Sequence, residues 1–123
     1  MNILIIEDDS DDAKHVLRGL KRVGFTGKAV VKRDGADAAE YLDKTKLPPD
    51  LILLDLTLPI MSGLEILRWL KQHKELSGIP VFVLSGSPYE QSIREAYALG
   101  AKTFFVKPLD MSQISAIAGA AVE

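Results

Sequence analysis

Cysteine is absent from this chain. That removes disulfides, thiolate nucleophiles and zinc held on thiolates from consideration. No apolar run approaches the ~20 residues that a membrane-spanning helix needs. A charged leader followed by a cleavable apolar stretch is also missing, so a cytoplasmic protein with no membrane partner is expected. An excess of one charge is lacking too. The formal net charge is −2 over 123 residues, which argues against nucleic acid as a direct partner, because phosphate backbones reward clustered Lys and Arg. Internal repeats, low-complexity tracts and linkers are missing as well, and Pro48-Pro49 reads as a local turn. What remains is an ordinary globular composition, 47% apolar and 26% charged. That suffices for a packed core in one domain spanning 1–123.

Five short apolar runs recur at wide spacing: Asn2 to Ile6, Lys28 to Lys32, Leu51 to Leu54, Pro80 to Leu84 and Thr103 to Val106. The runs at 3–6, 51–54 and 81–84 show no alternation, as strands buried on both faces should. The Lys-flanked second run reads as an edge or near-edge strand. Segments of helical period lie between. Ala13, Val16, Leu17, Leu20 and Val23 fall at three- and four-residue steps before Gly24. Asp34 caps a weaker helix over Gly35 to Lys44. Ser62-Gly63-Leu64-Glu65 and Asp110-Met111-Ser112-Gln113 read as capping boxes. Ser87-Pro88-Tyr89-Glu90 reads as a third box, with Pro at the first helical position and a helix running to Gly100. The order is β-α repeated five times. That predicts an α/β fold, a doubly wound five-stranded parallel sheet with helices on both faces.

In an open α/β sheet, functional groups gather at the carboxyl ends of the strands. Glu7, Asp8 and Asp9 follow the first strand, Asp55 the third, Ser85 the fourth and Lys107-Pro108 the fifth. Arg33 and Asp34 follow the second and are left outside the site. Carboxylates converging at one edge repel each other unless a divalent cation sits among them, and hard oxygen ligands favour Mg²⁺ (or Mn²⁺). A carboxylate beside such a cation is able to attack a phosphoryl group. Lys107 would supply positive charge and Ser85 a hydroxyl donor to the phosphoryl oxygens, and Gly86 would let the backbone approach closely. Each residue alone has a plainer role. Acids after a strand are often solvated turns or helix caps, the expected role of Asp11, Asp12 and in part Asp9. Asp55 alone would end a strand, and Ser85 alone would cap a loop. Only their conjunction at the same ends of four strands points to chemistry. His15 and His73 lack a partner constellation and read as surface residues.

The runs Leu4-Ile5-Ile6-Glu7-Asp8-Asp9, Leu53-Leu54-Asp55-Leu56-Thr57-Leu58-Pro59, Val83-Leu84-Ser85-Gly86 and Phe104-Phe105-Val106-Lys107-Pro108 resemble the receiver domain of two-component response regulators, over essentially the whole chain. The resemblance implies a flavodoxin-like strand order 2-1-3-4-5 and no turnover enzyme. It implies that Asp55 is the phosphoacceptor, that Glu7, Asp8, Asp55 and the backbone carbonyl of Thr57 hold Mg²⁺, and that Ser85 and Lys107 contact the phosphoryl group. Phe104 occupies the aromatic switch position, and the Lys107-Pro108 bond is expected to be cis. The phosphodonor would be a histidine kinase or a histidine phosphotransfer protein. A face made by the fourth helix, fifth strand and fifth helix, with Tyr89, Tyr97, Phe104 and Phe105 as candidates, would control an unknown downstream protein, and a homodimer is left open. Leu58 stands where Met is frequent and Ser62 where Asp or Asn is, swaps that keep size or capping ability. No output module follows the fifth helix, so a stand-alone receiver or one cut from a longer protein is expected.

Three rivals share parts of this pattern. A flavodoxin-like nucleotide binder would need a Ser/Thr/Gly-rich phosphate cradle where Glu7-Asp8-Asp9 stands. An aspartate-nucleophile phosphatase would need a second acid at Thr57 and a substrate cap. A receiver-like scaffold that is never phosphorylated keeps the fold, and sequence alone does not separate it from a working receiver.

Overall fold

A computed structural model describes residues 1–89 and 91–122. Its elements follow in the order β1 (Asn2–Ile6), α1 (Ser10–Arg22), β2 (Lys28–Lys32), α2 (Gly35–Lys44), β3 (Leu51–Asp55), α3 (Gly63–Gln72), β4 (Val81–Ser85), α4 (Ser92–Ala98), β5 (Thr103–Val106) and α5 (Met111–Val122). All strand pairs are parallel, and the sheet order is β2-β1-β3-β4-β5. This is the doubly wound order the resemblance implied. β2 lies at one edge, as its flanking lysines suggested.

The unpatterned apolar runs divide by the pleat of the strand, since successive side chains point to opposite faces. Leu4, Ile6, Ile52, Leu54, Val81 and Val83 enter one core, under Ala38 and Leu42 of α2, Ile66, Leu67 and Leu70 of α3, and Ile93 and Ala96 of α4. Ile3, Ile5, Leu51, Leu53 and Leu84 enter the other, under Val16 and Leu20 of α1 and Ile114 and Ile117 of α5. Side chains of this size stabilise by roughly 1.5–3 kcal/mol each when fully buried. Those opposing residues pack the sheet between two helical layers.

Helix starts follow local capping chemistry. Asp9 accepts from the N–H groups of Asp11 and Asp12, Asp34 from Asp37, and Ser62 from Glu65. At α5 the box is reciprocal: Asp110 Oδ1 accepts from the Gln113 N–H at 2.8 Å, and Gln113 Oε1 from the Asp110 N–H at 3.0 Å. α4 differs from the expectation. It begins at Ser92, not beside Ser87, and has no side-chain cap. The Ser87 hydroxyl instead accepts from the Tyr89 N–H at 3.1 Å, closing a local turn. Pro88 therefore belongs to that turn, and Glu90, the last member of the expected box, lies outside the described residues.

Candidate functional site

The parallel register sets the strand ends side by side: Ile6 pairs with Leu54, Asp55 with Leu84, and Ser85 with Val106. The residues at those ends therefore meet. Glu7, Asp55 and Ser85 are 1%, 3% and 0% exposed, and among the described residues they are the buried polar side chains. A domain interior that admits polar groups at one place alone marks that place for chemistry. Asp8 sits exposed at the rim.

Lys107 ties the group together. Its ammonium donates to Glu7 Oε1 at 2.9 Å, to Asp12 Oδ2 at 2.9 Å and to Asp55 Oδ2 at 3.4 Å. The other Asp55 oxygen, Oδ1, accepts from the Thr57 N–H at 3.1 Å, so both carboxylate oxygens are oriented. The Ser85 hydroxyl donates to the Ser87 carbonyl at 2.6 Å and accepts from the Ser87 N–H at 3.1 Å. The peptide between Lys107 and Pro108 is cis, as expected. Gly63 allows the start of α3 to close over the site, since a Cβ there would lie 2.6 Å from the Asp55 carbonyl oxygen and 2.7 Å from Leu56 Cα. At Gly86 a Cβ would meet open space on the side it points to.

The electrostatics are those of crowded acid. Burial, with the neighbouring Asp55 carboxylate, pushes Glu7 up to about 8 against the opposing pull of Lys107. For Lys107, burial works against the ammonium, but the hydrogen bonds to Asp12 and Glu7 and the charge of Asp55 outweigh it, so its pKa stands above the ordinary lysine value. The Lys107 ammonium thus faces three carboxyl groups, those of Glu7, Asp12 and Asp55. Glu7, Asp8 and Asp55 each offer one oxygen, and these atoms lie within 4.8 Å of one another. An all-oxygen, acidic donor set of that span fits a hard divalent cation.

Phe104 is half-buried against the core beneath α3 and α4, with its ring edge-on to Tyr97 at 6.1 Å and 86°. Phe105 points to the opposite core and meets Phe82 edge-on at 5.8 Å. Tyr89, at 89% exposure, and Tyr97, at 43%, face solvent beside α4.

The chain matches the response regulator receiver domain over residues 3–118. It is 32% identical over 117 residues to response regulator Rcp1 of Synechocystis sp., covering 91% of this chain and 80% of that protein. The bacteriophytochrome response regulator RtBRR superimposes with a TM-score of 0.86 at 35% identity, over 98% of this chain and 76% of that one. A phosphorylated cyanobacterial phytochrome response regulator, RcpA, superimposes with a TM-score of 0.83 at 34% identity, over 95% and 87% of the two chains. This chain belongs to the response regulator receiver family. Receivers are signalling modules of two-component phosphorelays, generally non-enzymatic, that interact with histidine kinases and downstream effectors.

Within this receiver, Glu7, Asp55 and Lys107 are linked by hydrogen bonds and Asp8 shares the carboxylate cluster, while Ser85 lies at the adjoining strand end with its hydroxyl on Ser87 and Asp9 caps α1. Three residues assigned elsewhere also reach the site. Asp12, expected to be a solvated cap residue, bonds Lys107 as closely as Glu7 does. Arg33 reaches the Asp8 carbonyl at 3.3 Å. His15 is exposed, as a surface residue should be, but it has a partner: its Nε2 lies 2.7 Å from the Leu109 carbonyl just past Pro108. The signal for Asp12 and His15 was their three-residue spacing, which puts both on one side of α1. Which strand that side would face depends on the sheet order, which spacing does not give. His73 likewise has a partner, its Nδ1 lying 2.7 Å from the Trp69 carbonyl in its own helix. Among the described residues no helix is long and apolar enough to cross a membrane.

Proposed function

We propose that Asp55 is the phosphoacceptor of this receiver. A carboxylate oxygen of Asp55 attacks the phosphorus of a phosphohistidine on a histidine kinase or histidine phosphotransfer protein. The O–P bond forms as the P–N bond breaks, and the imidazole leaves as a proton is taken up on its nitrogen. The observation that carries this reading is the setting of the Asp55 carboxylate. It is buried, oriented by the Thr57 N–H and Lys107, and shares a 4.8 Å cluster of acidic oxygens with Glu7 and Asp8.

The proposed metal is Mg²⁺ (or Mn²⁺), held by Glu7, Asp8, Asp55 and the backbone carbonyl of Thr57. Rcp1 has been solved in a Mn²⁺-bound form, at 31% identity and a TM-score of 0.81, over 95% of this chain and 88% of that one, which supports a divalent cation here. Bound there, the cation would supply positive charge against the phosphoryl oxygens. Lys107 adds a second positive charge beside Asp55, and Ser85 contributes its hydroxyl by exchanging the bond to the Ser87 carbonyl for one to a phosphoryl oxygen. That exchange would draw the segment after β4 inward. Phe104, packed edge-on to Tyr97, would follow into the space vacated, so the α4–β5–α5 face presents the output surface to a downstream protein. The proposed setting is the cytoplasm.

Borohydride reduction after phosphorylation tests the assignment at residue level, because it converts an aspartyl phosphate to homoserine. Homoserine at position 55 alone is expected. Homoserine at Asp8 or Asp12, with Asp55 intact, would overturn the assignment.

A further inference from the structure

The Lys107 ammonium has three N–H donors, and three acceptors occupy them: Glu7 Oε1 and Asp12 Oδ2 at 2.9 Å, and Asp55 Oδ2 at 3.4 Å. A phosphoryl oxygen that is to be bound by Lys107 must therefore displace one of them. The three differ in what release would cost. Glu7 is 1% exposed, and a buried carboxylate left without its donor is costly. Asp55 is itself the group that becomes modified. The Asp12 side chain is 37% exposed and recovers water when released, so its loss costs least.

Asp12 also sits where it can hold the lysine back. It lies in the first turn of α1, with its N–H tied to Asp9 Oδ1 at 3.0 Å. One turn on, His15 meets the Leu109 carbonyl at 2.7 Å. α1 thus grips the segment that follows β5 on both sides of Pro108. Resting on the reading of Asp55 as phosphoacceptor, we propose that Asp12 is a positioning residue that restrains Lys107 in the unphosphorylated receiver and is displaced by the phosphoryl group. Asp12 then sets how readily the switch is thrown, through Lys107 and without touching phosphorus.

The test is the affinity for beryllofluoride, a phosphoryl mimic, at saturating Mg²⁺, measured by calorimetry on wild type, Asp12→Asn and Asp12→Ala. Both variants are expected to bind about two- to fivefold tighter than wild type, the worth of a partly exposed ion pair. In a Lys107→Met background, Asp12→Ala is expected to change nothing, because the effect runs through the lysine. A merely structural Asp12 would move the melting temperature and leave the affinity alone. Wild-type binding with unchanged or weaker affinity in both Asp12 variants overturns this inference and leaves the phosphoacceptor reading standing. An Asp12 effect that persists without Lys107 also overturns it. Failure of wild type to bind at all overturns the phosphoacceptor reading and this inference with it.

Discussion

Glu7 is a carboxyl group with almost no exposure, one lysine beside it and a second carboxylate facing it. Those surroundings set a pH dependence whose sign is fixed. Its folded-state value of about 8 lies above the ordinary 4.5. The protonated group therefore contributes stability that is fully present below pH 4.5 and is lost as pH rises through 8. A divalent cation competes with that proton. Apparent Mg²⁺ affinity is thus expected to rise from pH 6 to pH 8, with proton release detectable in weakly buffered solution. Glu7→Gln should melt higher than wild type at pH 8 without metal, because it removes an ionised group the fold disfavours, and should lose Mg²⁺ affinity. A Mg²⁺ affinity that is flat across this window would contradict the burial argument. The gain in stability on losing function is what a site built of mutually repelling groups should show.

At the scale of elements, the loop between β3 and α3 combines strain with tight fit. Ile60 has φ +70° and is 82% exposed, and the Met61 N–H donates to the Pro59 carbonyl at 2.7 Å across it. That is the classic γ-turn geometry, rare for any residue and unfavourable for a β-branched one. Ile60→Gly is therefore expected to stabilise by about 1 kcal/mol. Gly63→Ala, three residues on, should do the opposite, because its Cβ would press on the Asp55 carbonyl and Leu56; a loss of about 1–3 kcal/mol is expected. Urea melts of the two variants check both signs. The elements themselves were largely legible. Asp34, Ser62 and Asp110 announced their helices because capping is chemistry between near neighbours in sequence. α4 was not, because Ser87 spends its hydroxyl on Tyr89 in a turn that mimics a helix start. Asp12 was misread for the converse reason. Its partner Lys107 lies 95 residues away, and nothing local distinguishes a helix-start acid that meets a lysine from one that meets water.

The whole molecule is a sheet whose two cores are apolar throughout and whose buried polar side chains, among the described residues, gather at one edge. Alternation of strands and helices was enough to predict parallel strands and layers on both faces, because crossovers have one hand. It did not predict which strands are neighbours. The order β2-β1-β3-β4-β5 puts β1 between β2 and β3, and that placement brings Glu7 to Asp55. The order came from resemblance, and the site depends on it. The central claim is that this arrangement makes Asp55 an acceptor of phosphoryl groups and does not merely shape a scaffold. Its most direct test is intact-mass measurement after incubation with acetyl phosphate and Mg²⁺. The account predicts a gain of one phosphoryl group by wild type, lost on chelating Mg²⁺ and lost in Asp55→Asn. No gain from acetyl phosphate or from a phosphorylated histidine donor, or an undiminished gain in Asp55→Asn, would contradict it.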